Sequence, residues 1–205
     1  MVLVRLPPPI GGIIPQYTTL SKREELIRIF DPTRYNTTAT SFRNYGPISR
    51  FDHHREYSNN IDPDRSVIYA GRTLSCCLVE IFGDGGTITI AHQKVAFLTL
   101  TSEMKLLDLR GKGAMGAGTV AAISSITQRD ISQAWGRYFY ENPNLYEKVD
   151  GLIFSGAHNG EDAIALYERA KLKLESAKLG ILNLDHPDLL QQILEIAKVH
   201  GLLVR

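Results

Sequence analysis

Residues 66–83 of this 205-residue chain contain its clearest secondary-structure signal. The segment "SVIYAG" is a short apolar run that predicts a buried strand, and "RTLSCCLVEIFG" directly after it predicts a helix of about three turns that ends near Gly83. Four side chains recur at helical spacing and are expected to face the core: Leu74, Cys77, Leu78 and Ile81. Glu80 lies off this stripe, so periodicity alone leaves it either as a solvated glutamate or as a carboxylate facing a cleft.

The other segments mix strand and helix patterns. Strands are predicted for "VAFLTLT", "MKLLDLR" and "DGLIFS", and helices for "GTVAAISSI", "TQRDISQAWGRYFYE" and "DHPDLLQQILEIAKVHG". In "SKREELIRIFDP", Ser21 and Glu24 fit a capping box, which predicts a short helix that runs into a strand. "EDAIALYERA" fits either a strand or a helix. Because the elements do not follow a regular βαβ alternation, we expect a mixed α+β fold.

The length of the chain predicts one domain with small additions. Residues 1–20, with prolines at 7, 8 and 9, predict an extended arm. Residues 21–205 are then a single domain that ends in a helical extension over residues 171–205. Residues 32–66 are rich in turn formers and predict a long loop of the kind that often carries function.

The composition predicts a soluble, cytoplasmic protein. Hydrophobic residues make up 43% of the chain, charged residues 22%, and the formal net charge is +1. A sequence without a dense basic run is not expected to bind nucleic acid directly. No apolar run has the length of a membrane-spanning helix or the form of a signal peptide. The two cysteines, Cys76 and Cys77, are adjacent and poorly placed for a disulfide, which favours a reducing compartment.

One glycine-rich motif, "GKGAMGAG", matches the dinucleotide fingerprint G-x-G-x-x-G at Gly111, Gly113 and Gly116. It follows a predicted strand and precedes a predicted helix, as the fingerprint requires. The fingerprint also needs an acid at the end of a second strand about twenty residues later. Asp130 has the right spacing but lies in a helical segment, so a turn leading into a helix is the favoured interpretation.

A second motif, "FDHHRE", contains four potential metal ligands: Asp52, His53, His54 and Glu56. Adjacent histidines point in different directions on a regular backbone, and no second cluster with ligand spacing occurs elsewhere. A hydrogen-bonded loop is therefore favoured, and we expect no metal. Cys76 and Cys77 lie among apolar neighbours, so packing is a better role for them than nucleophilic catalysis.

Five blocks occur in the order seen in the RES-domain family: "SRFDHH", "VIYAGRTLSCCLVEIFG", "LLDLRG", "ISQAWGRYFYE" and "DGLIFSGAHNG…AIALYERA". The sequence resembles this family over residues 26–170, which would form the core of the domain. The resemblance implies a split β-sheet with flanking helices, as in ADP-ribosyltransferases of the diphtheria-toxin type. The loop between the first two blocks is longer than in compact family members, and the extension after residue 170 is a further departure.

The resemblance also implies a function. Family members are best known as toxins of toxin–antitoxin pairs that degrade NAD+ by phosphorolysis or hydrolysis of the nicotinamide–ribose bond. NAD+ would then be a substrate rather than a cofactor, with inorganic phosphate as a candidate co-substrate. The implied partners are a helix-turn-helix (Xre-type) antitoxin and a second copy in a homodimer.

The resemblance assigns five site residues by their positions in these blocks: Arg28, Arg50, Tyr69, Glu80 and Ser155. Arg28 in "LIRIF" matches the first family arginine, with Arg34 as a competing match. Arg50 belongs to the "GRW/GRF" block, Tyr69 matches the tyrosine near the nicotinamide ring, and Glu80 matches the family glutamate. Ser155 matches the serine that follows the late strand.

These residue types suit the implied chemistry. Nicotinamide leaves as a neutral pyridine and needs no general acid, whereas the ribose carbon passes through an oxocarbenium-like cation that one carboxylate, Glu80, can stabilise. Arginines such as Arg28 and Arg50 bind phosphate oxygens through forked donors, and Tyr69 offers an aromatic face. Two alternatives remain open, namely transfer of ADP-ribose to a protein and a catalytically inactive RES-like module that acts by binding its partner.

Overall fold

The computed structural model describes residues 2–55 and 60–205. Within them the strands are β1 (Tyr17–Leu20), β2 (Glu25–Phe30), β3 (Tyr45–Gly46), β4 (Asn60–Ile61), β5 (Val67–Gly71), β6 (Thr87–Ile88), β7 (Lys94–Thr99), β8 (Met104–Asp108), β9 (Gly151–Ser155), β10 (Asp162–Tyr167), β11 (Lys178–Asn183) and β12 (Leu203–Val204). The α-helices are α1 (Leu74–Phe82), α2 (Lys112–Gly116), α3 (Arg129–Glu141), α4 (Pro143–Tyr146), α5 (Lys171–Glu175) and α6 (Pro187–His200), with 3-10 helices at Ala121–Ser124 and Glu168–Ala170.

A mixed sheet forms the centre of the fold. Its order within the described residues is β1-β8-β9-β10-β5-β2-β7-β11. Strands β8 and β9 run parallel, and the other neighbouring pairs are antiparallel. Because successive side chains on a strand point to opposite faces, the strands other than the edge strand β11 contribute to apolar clusters on both sides of the sheet. The predicted α+β class is confirmed.

The sheet is split between β5 and β2. Within the described residues these strands share one register pair, Ile27 opposite Gly71. Further along β5, Arg43 takes the place of β2. Its backbone N donates to Val67 O at 2.8 Å, and Val67 N donates to Arg43 O at 3.0 Å. The chain around Arg43 therefore lies between the two halves of the sheet.

Arg72 joins the two halves at their junction. Its Nη2 lies 3.3 Å from Glu24 Oε2, next to β2, and its Nε lies 3.5 Å from Asp162 Oδ2 on β10. Its backbone N also donates to Asp162 O at 3.2 Å. Partly exposed ion pairs of this kind contribute at most about 1 kcal/mol each, so we assign Arg72 a local bridging role.

Helix α1 begins at Thr73, whose Oγ1 accepts a hydrogen bond from Cys76 N at 2.9 Å. Its buried residues are Leu74, Cys76, Cys77, Leu78, Val79 and Phe82. Ile81 is 48% exposed, so the predicted core stripe is wrong at this position. The reason is that α1 is covered on two sides: Cys76 packs in the cluster of β9 and β10, whereas Cys77 packs in the cluster of β2 and α6.

The predicted short helix before β2 is wrong. Ser21 N donates to Glu24 Oε1 at 2.9 Å, and Glu24 N donates to Ser21 O at 3.2 Å, so the capping-box residues close a turn instead. Strand β2 follows at once because it pairs with β7 along its whole length. The ambiguous segment "EDAIALYERA" forms β10 followed by the 3-10 helix Glu168–Ala170.

Both terminal regions also supply strands. Tyr17–Leu20 pairs with β8 as an edge strand, so the predicted arm over residues 1–20 ends before β1. The predicted helical extension contains α6 but also β11, which pairs with β7 as the other edge strand. An edge strand needs only one partner and little apolar content, which is why its sequence signal is weak.

The N-terminal arm packs against α2 and α3. Val4 is buried, and Trp135 Nε1 donates to Arg5 O at 2.7 Å. Ile14 N donates to Gly116 O at 2.8 Å, and a Cβ added to Gly116 would lie only 2.4 Å from Ile14 O. A glycine of the "GKGAMGAG" motif therefore allows the arm to approach closely.

The same motif does not have the geometry of a dinucleotide fingerprint. A Cβ at Gly118 would lie 2.4 Å from Pro9 Cβ, so this glycine also accommodates the arm. Asp130 lies in the first turn of α3 and not at the end of a strand. Helix α2 begins directly after Gly111, contains Gly113 and Gly116, and has five residues.

The three described potential ligands of "FDHHRE" point in different directions: Asp52 binds Tyr69, His53 binds Glu168, and the ring of His54 lies against Gly46. Glu56 lies outside the described residues. Across residues 2–55 and 60–205, no group of three or more His, Cys, Asp or Glu side chains is arranged to hold a metal ion. None of the helices in this part of the chain has both the length and the apolar character needed to cross a lipid bilayer.

His53 is fully buried beside Glu168. Its Nε2 lies 2.9 Å from Glu168 Oε2, and Tyr140 Oη donates to Glu168 Oε1 at 2.6 Å. Burial lowers the pKa of His53, although Glu168 opposes this. Burial alone would raise the pKa of Glu168, but the hydrogen bonds from His53 and Tyr140 outweigh it and lower the pKa to about 2.

These shifts predict a loss of stability in acid in two steps. His53 has a folded pKa below its ordinary 6.5, so the unfolded state binds its proton first and stability falls as the pH drops below 6.5. Glu168 contributes stability above 4.5 that is lost between pH 4.5 and about 2. Urea unfolding at pH 7.5, 5.5 and 3 measures both steps. In His53→Gln, whose amide can still donate to Glu168, the loss between pH 7.5 and 5.5 should shrink, and an unchanged loss would contradict the assignment.

Candidate functional site

Arg50 lies in a loop that Asp52 closes. Asp52 is fully buried, and its Oδ2 accepts hydrogen bonds from the backbone N of Ile48 at 2.5 Å and of Ser49 at 2.9 Å. From the other side, Gln133 of α3 donates through Nε2 to Ser49 O at 3.2 Å. The loop is therefore held by a buried carboxylate and by a helix. These contacts fix the backbone position from which the Arg50 side chain extends.

Tyr69 and Arg43 share the same buried carboxylate. Tyr69 Oη donates to Asp52 Oδ1 at 2.9 Å and accepts from Phe51 N at 3.2 Å. Arg43 Nη2 donates to both oxygens of Asp52, at 2.9 and 2.8 Å. Burial and then the charge of Asp52 raise the pKa of Tyr69. The hydroxyl of Tyr69 is thus an anchor, and neither Arg43 nor Asp52 was identified from the sequence.

Arg50 is half-buried and lies within electrostatic reach of Glu80 and Tyr69. Its guanidinium donates through Nη1 to Ile126 O. Burial lowers the pKa of Arg50, the charge of Glu80 opposes this, and Arg129 adds to the lowering. Three of the sequence-predicted site residues, Arg50, Tyr69 and Glu80, are therefore brought together.

Glu80 lies in the last turn of α1 and faces the loop after β9. Its side chain is 30% exposed, and its Oε1 accepts from the backbone N of His158 at 3.3 Å and lies 3.3 Å from His158 Nδ1. A Cβ added to Gly156 would come within 2.8 Å of the same oxygen. Glu80 is therefore an exposed residue whose carboxylate contacts this loop.

His158 was not predicted from the sequence. Its Nε2 lies 3.1 Å from Asp84 Oδ1, so the imidazole lies between Asp84 and Glu80. Burial would lower the pKa of His158, but the hydrogen bonds and charges of Asp84 and Glu80 outweigh burial and raise it. Gly156 and Gly160, which flank the histidine in "SGAHNG", were a signal for a tight loop but not for this contact.

Arg28 lies close enough to Arg43, a member of the Asp52 network, for the two charges to interact. Its Nη1 donates to Ser41 O at 3.1 Å. Burial, with the charge of Arg43 added, lowers the pKa of Arg28 to about 10. Arg34, the competing match, has a side chain that is 79% exposed and pairs with Asp31 at 3.2 Å. The structure therefore places Arg28 beside the buried network and Arg34 outside it.

Ser155 is the last residue of β9, opposite Asp162. Phe154 packs against Phe51, with ring centroids 4.7 Å apart. Because neighbours on a strand point to opposite faces, Ser155 points away from Phe51 and Tyr69. Ser155 is therefore adjacent to the site through the backbone of the loop that engages Glu80, but its side chain is not among the grouped residues.

A second group of polar side chains fixes the other end of this loop. Glu161 Oε1 accepts from Ser75 Oγ at 2.6 Å and from Asn159 Nδ2 at 2.7 Å. Thr73 also donates to Glu161, and His200 Nε2 lies 3.1 Å from Ser75 Oγ. The loop is thus attached to the start of α1 and, through His200, to the end of α6.

Cys76 and Cys77 lie in surroundings that suppress formation of the thiolate. Burial raises the pKa of the Cys76 thiol, and it raises that of Cys77 to about 12. A thiol with so high a pKa carries almost no thiolate near neutral pH. The packing role predicted from the sequence agrees with this environment.

Gly136 of α3 sets the position of the Arg50 loop. A Cβ added there would lie 2.9 Å from Phe51 O, a backbone atom that cannot rotate away. We expect Gly136→Ala to destabilise the protein by about 1–3 kcal/mol, outweighing the ~1 kcal/mol that alanine gains as a helix former. Urea unfolding measures the change. Gly180→Ala is the control, because its nearest neighbour, Phe97 Cβ, would lie at an ordinary 3.8 Å. Equal effects of the two substitutions would contradict the role of Gly136.

Comparisons with known proteins place this geometry in context. The family described as "RES domain" matches residues 25–188. The curated protein "Probable toxin y4kH" of Sinorhizobium fredii (strain NBRC 101917 / NGR234) is 28% identical over 110 residues, which cover 54% of this chain and 84% of that protein. A chain in the crystal structure of the M. tuberculosis MbcT-MbcA toxin-antitoxin complex has a TM-score of 0.56 and 15% identity, and the match covers 85% of this chain and 90% of that one. At this identity the structural match shows a shared fold.

Proposed function

The chain belongs to the RES domain family, and from this premise we propose that it is the enzymatic toxin of a toxin–antitoxin pair that cleaves the nicotinamide–ribose bond of NAD+. The observation that carries the proposal is the carboxylate of Glu80, held by the loop after β9 and within electrostatic reach of Arg50. Reaction at a ribose carbon needs one such carboxylate close to the developing cation.

The contacts of Glu80 suit this role. Within the described residues, the hydrogen bonds from His158 and the close approach of Gly156 fall on Oε1. Oε2 remains for the substrate. In the proposed reaction the C–N bond breaks, its electron pair leaves with neutral nicotinamide, and an oxygen of water or inorganic phosphate forms the new bond to the ribose carbon. The proton of the attacking oxygen passes to solvent.

The surrounding arginines suit an anionic substrate. Arg28 and Arg43 lie within electrostatic reach of each other, Arg50 lies in the loop that Asp52 holds, and burial weakens the hydration of Arg28 and Arg50. A poorly hydrated guanidinium binds phosphate oxygens strongly because its forked donors match them. We assign Arg28 and Arg50 to the pyrophosphate or to inorganic phosphate, and Tyr69 to the wall beside the nicotinamide.

The proposed binding partners are based on the names of the similar proteins. One relative carries the name of a toxin, and the structural neighbour is a chain of a toxin–antitoxin complex. We therefore propose an antitoxin of the helix-turn-helix type, and a homodimer as in the family that the sequence resembles. Light scattering of the purified protein, alone and with the product of a neighbouring reading frame, measures both assemblies.

The decisive experiment incubates the purified protein with NAD+ in phosphate-containing and phosphate-free buffer and follows NAD+ and its products. ADP-ribose indicates water as the acceptor, and a phosphorylated ADP-ribose that appears with phosphate alone indicates phosphorolysis. Label from NAD+ retained on a protein would instead indicate ADP-ribosyl transfer. Intact NAD+ in both buffers would contradict the proposal, and a stable antitoxin complex in that case would favour an inactive binding module.

A further inference from the structure

His158 lies between two carboxylates at the C-terminal end of α1, and the reaction proposed above gives it no role. Its Nδ1 lies 3.3 Å from Glu80 Oε1, and its Nε2 lies 3.1 Å from Asp84 Oδ1. Its backbone N also donates to Glu80 Oε1 at 3.3 Å. The side chains of His158 and Glu80 are 28% and 30% exposed and that of Asp84 is 88% exposed, so the ring is partly covered beside Glu80 and open to solvent beside Asp84.

The backbone on both sides is shaped to admit this contact. A Cβ at Gly83 would lie 2.5 Å from His158 Cδ2, and one at Gly156 would lie 2.8 Å from Glu80 Oε1. Real Cβ atoms essentially never come so close. Glycines at these two positions therefore let the imidazole and the carboxylate approach each other from two different segments, α1 and the loop after β9.

Both contacts can be hydrogen bonds at the same time only when the ring is doubly protonated. Imidazolium donates from both nitrogens, whereas neutral imidazole donates from one and turns a lone pair toward the other carboxylate. The charged groups that face this ring are Glu80 and Asp84, with Arg50 close enough to act on both carboxylates. Burial of the ring lowers the pKa of His158, but the two carboxylates together raise it above its ordinary value.

We propose that the imidazolium of His158, held by Asp84, is a positioning residue that fixes Oε1 of Glu80 and so directs Oε2 at the ribose carbon of NAD+. The inference rests on the proposed function for its substrate. Asp84 acts on Glu80 through His158, because its carboxylate orients the ring and keeps the second proton on it. A neutral ring has one N–H, so one of the two carboxylates would face a ring lone pair, and among the described residues the backbone N of His158 would remain the only donor that holds Oε1 in both protonation states.

The test is the pH profile of NAD+ consumption by the wild type, His158→Asn and Asp84→Asn. The wild type should lose kcat on the alkaline side as His158 releases its proton. Asp84→Asn should shift this alkaline limb to lower pH, and His158→Asn should remove it and lower kcat by about 10- to 100-fold with KM little changed, as expected for a misplaced catalytic group. His92→Asn and Asp185→Asn are matched controls at exposed positions and should keep the wild-type profile.

Titration of the His158 ring by NMR separates this inference from the proposed function. Its pKa should fall in Glu80→Gln and again in Asp84→Asn, whether or not the protein consumes NAD+. If NAD+ is consumed but the alkaline limb survives in His158→Asn, the positioning role is wrong and the function stands. If the wild type leaves NAD+ intact, the proposed function and the catalytic part of the inference fail together. A ring that titrates identically in all variants overturns the contact itself.

Discussion

Replacement of Glu80 by glutamine is expected to lower the rate of NAD+ consumption by about 100- to 1,000-fold. The substitution removes one negative charge and keeps the size and shape of the side chain. A preorganised group that stabilises charge in the transition state is typically worth this much. The amide can still accept from the backbone N of His158, so the loop after β9 should keep its position. Single-turnover kinetics with saturating NAD+ measures the chemical step.

The control for this substitution is Glu103→Gln, which makes the same change at an exposed position. It should leave turnover within about twofold of the wild type, since isolated surface charges contribute little. Thermal unfolding of both variants verifies that the fold survives. Near-normal turnover in Glu80→Gln would mean that Glu80 is not the carboxylate that faces the ribose.

Replacement of Asp52 by alanine is expected to reduce the free energy of unfolding by about 3–5 kcal/mol, the largest loss we expect from a polar substitution. Asp52 is fully buried and accepts hydrogen bonds from Arg43, Tyr69 and two backbone N–H groups. Its removal leaves these donors unsatisfied and an arginine charge without its partner. Loss of the loop that carries Arg50 should also lower NAD+ turnover in whatever protein remains folded.

Asp64→Ala is the matched control, because Asp64 also pairs with an arginine but has a side chain that is 65% exposed. It should cost less than about 1 kcal/mol. Urea unfolding of both variants gives the two free energies. Asp52→Asn provides a second test that keeps the shape of the side chain. A loss at position 52 no larger than that at position 64 would contradict the buried network.

The helices and strands with strong apolar periodicity could be predicted from the sequence, and so could the α+β fold class. Strands β5, β7, β8 and β9 and helices α1, α3 and α6 lie where apolar periodicity indicated them. A local sequence pattern gave a wrong prediction where two different structures have the same pattern. Ser21 and Glu24 exchange the same hydrogen bonds in a turn as at a helix start, and the pairing of β2 with β7 decided between the two.

The site could be predicted only where its residues lie in recognisable blocks. Arg50, Tyr69 and Glu80 were assigned by their order in the chain, and the fold brings them together. His158 and Asp52 could not be found in this way. The contact of His158 with Glu80 spans 78 positions and depends on how one loop closes over one helix. Asp52 was considered only as one of four potential metal ligands in a segment for which a hydrogen-bonded loop was favoured.

The chemical reactivity of the two adjacent cysteines depends on whether the two halves of the split sheet are in contact. Cys77 Sγ donates to Ile27 O on β2 at 3.0 Å, whereas Cys76 Sγ donates to Asp162 O on β10 at 3.5 Å. Gly71 lies between them, since a Cβ there would come within 3.0 Å of one sulfur and 3.1 Å of the other. Each thiol is therefore attached to a different half of the sheet.

An alkylating reagent can reach these sulfurs only when the junction opens, because exposure and thiolate formation are both suppressed while it is closed. The rate of thiol modification at low denaturant thus measures the separation of the two halves, and its dependence on urea distinguishes local parting from global unfolding. We expect bound NAD+ to slow the modification of Cys77. The two cysteines, for which the sequence predicts only packing, thereby report on the separation of the two halves of the sheet.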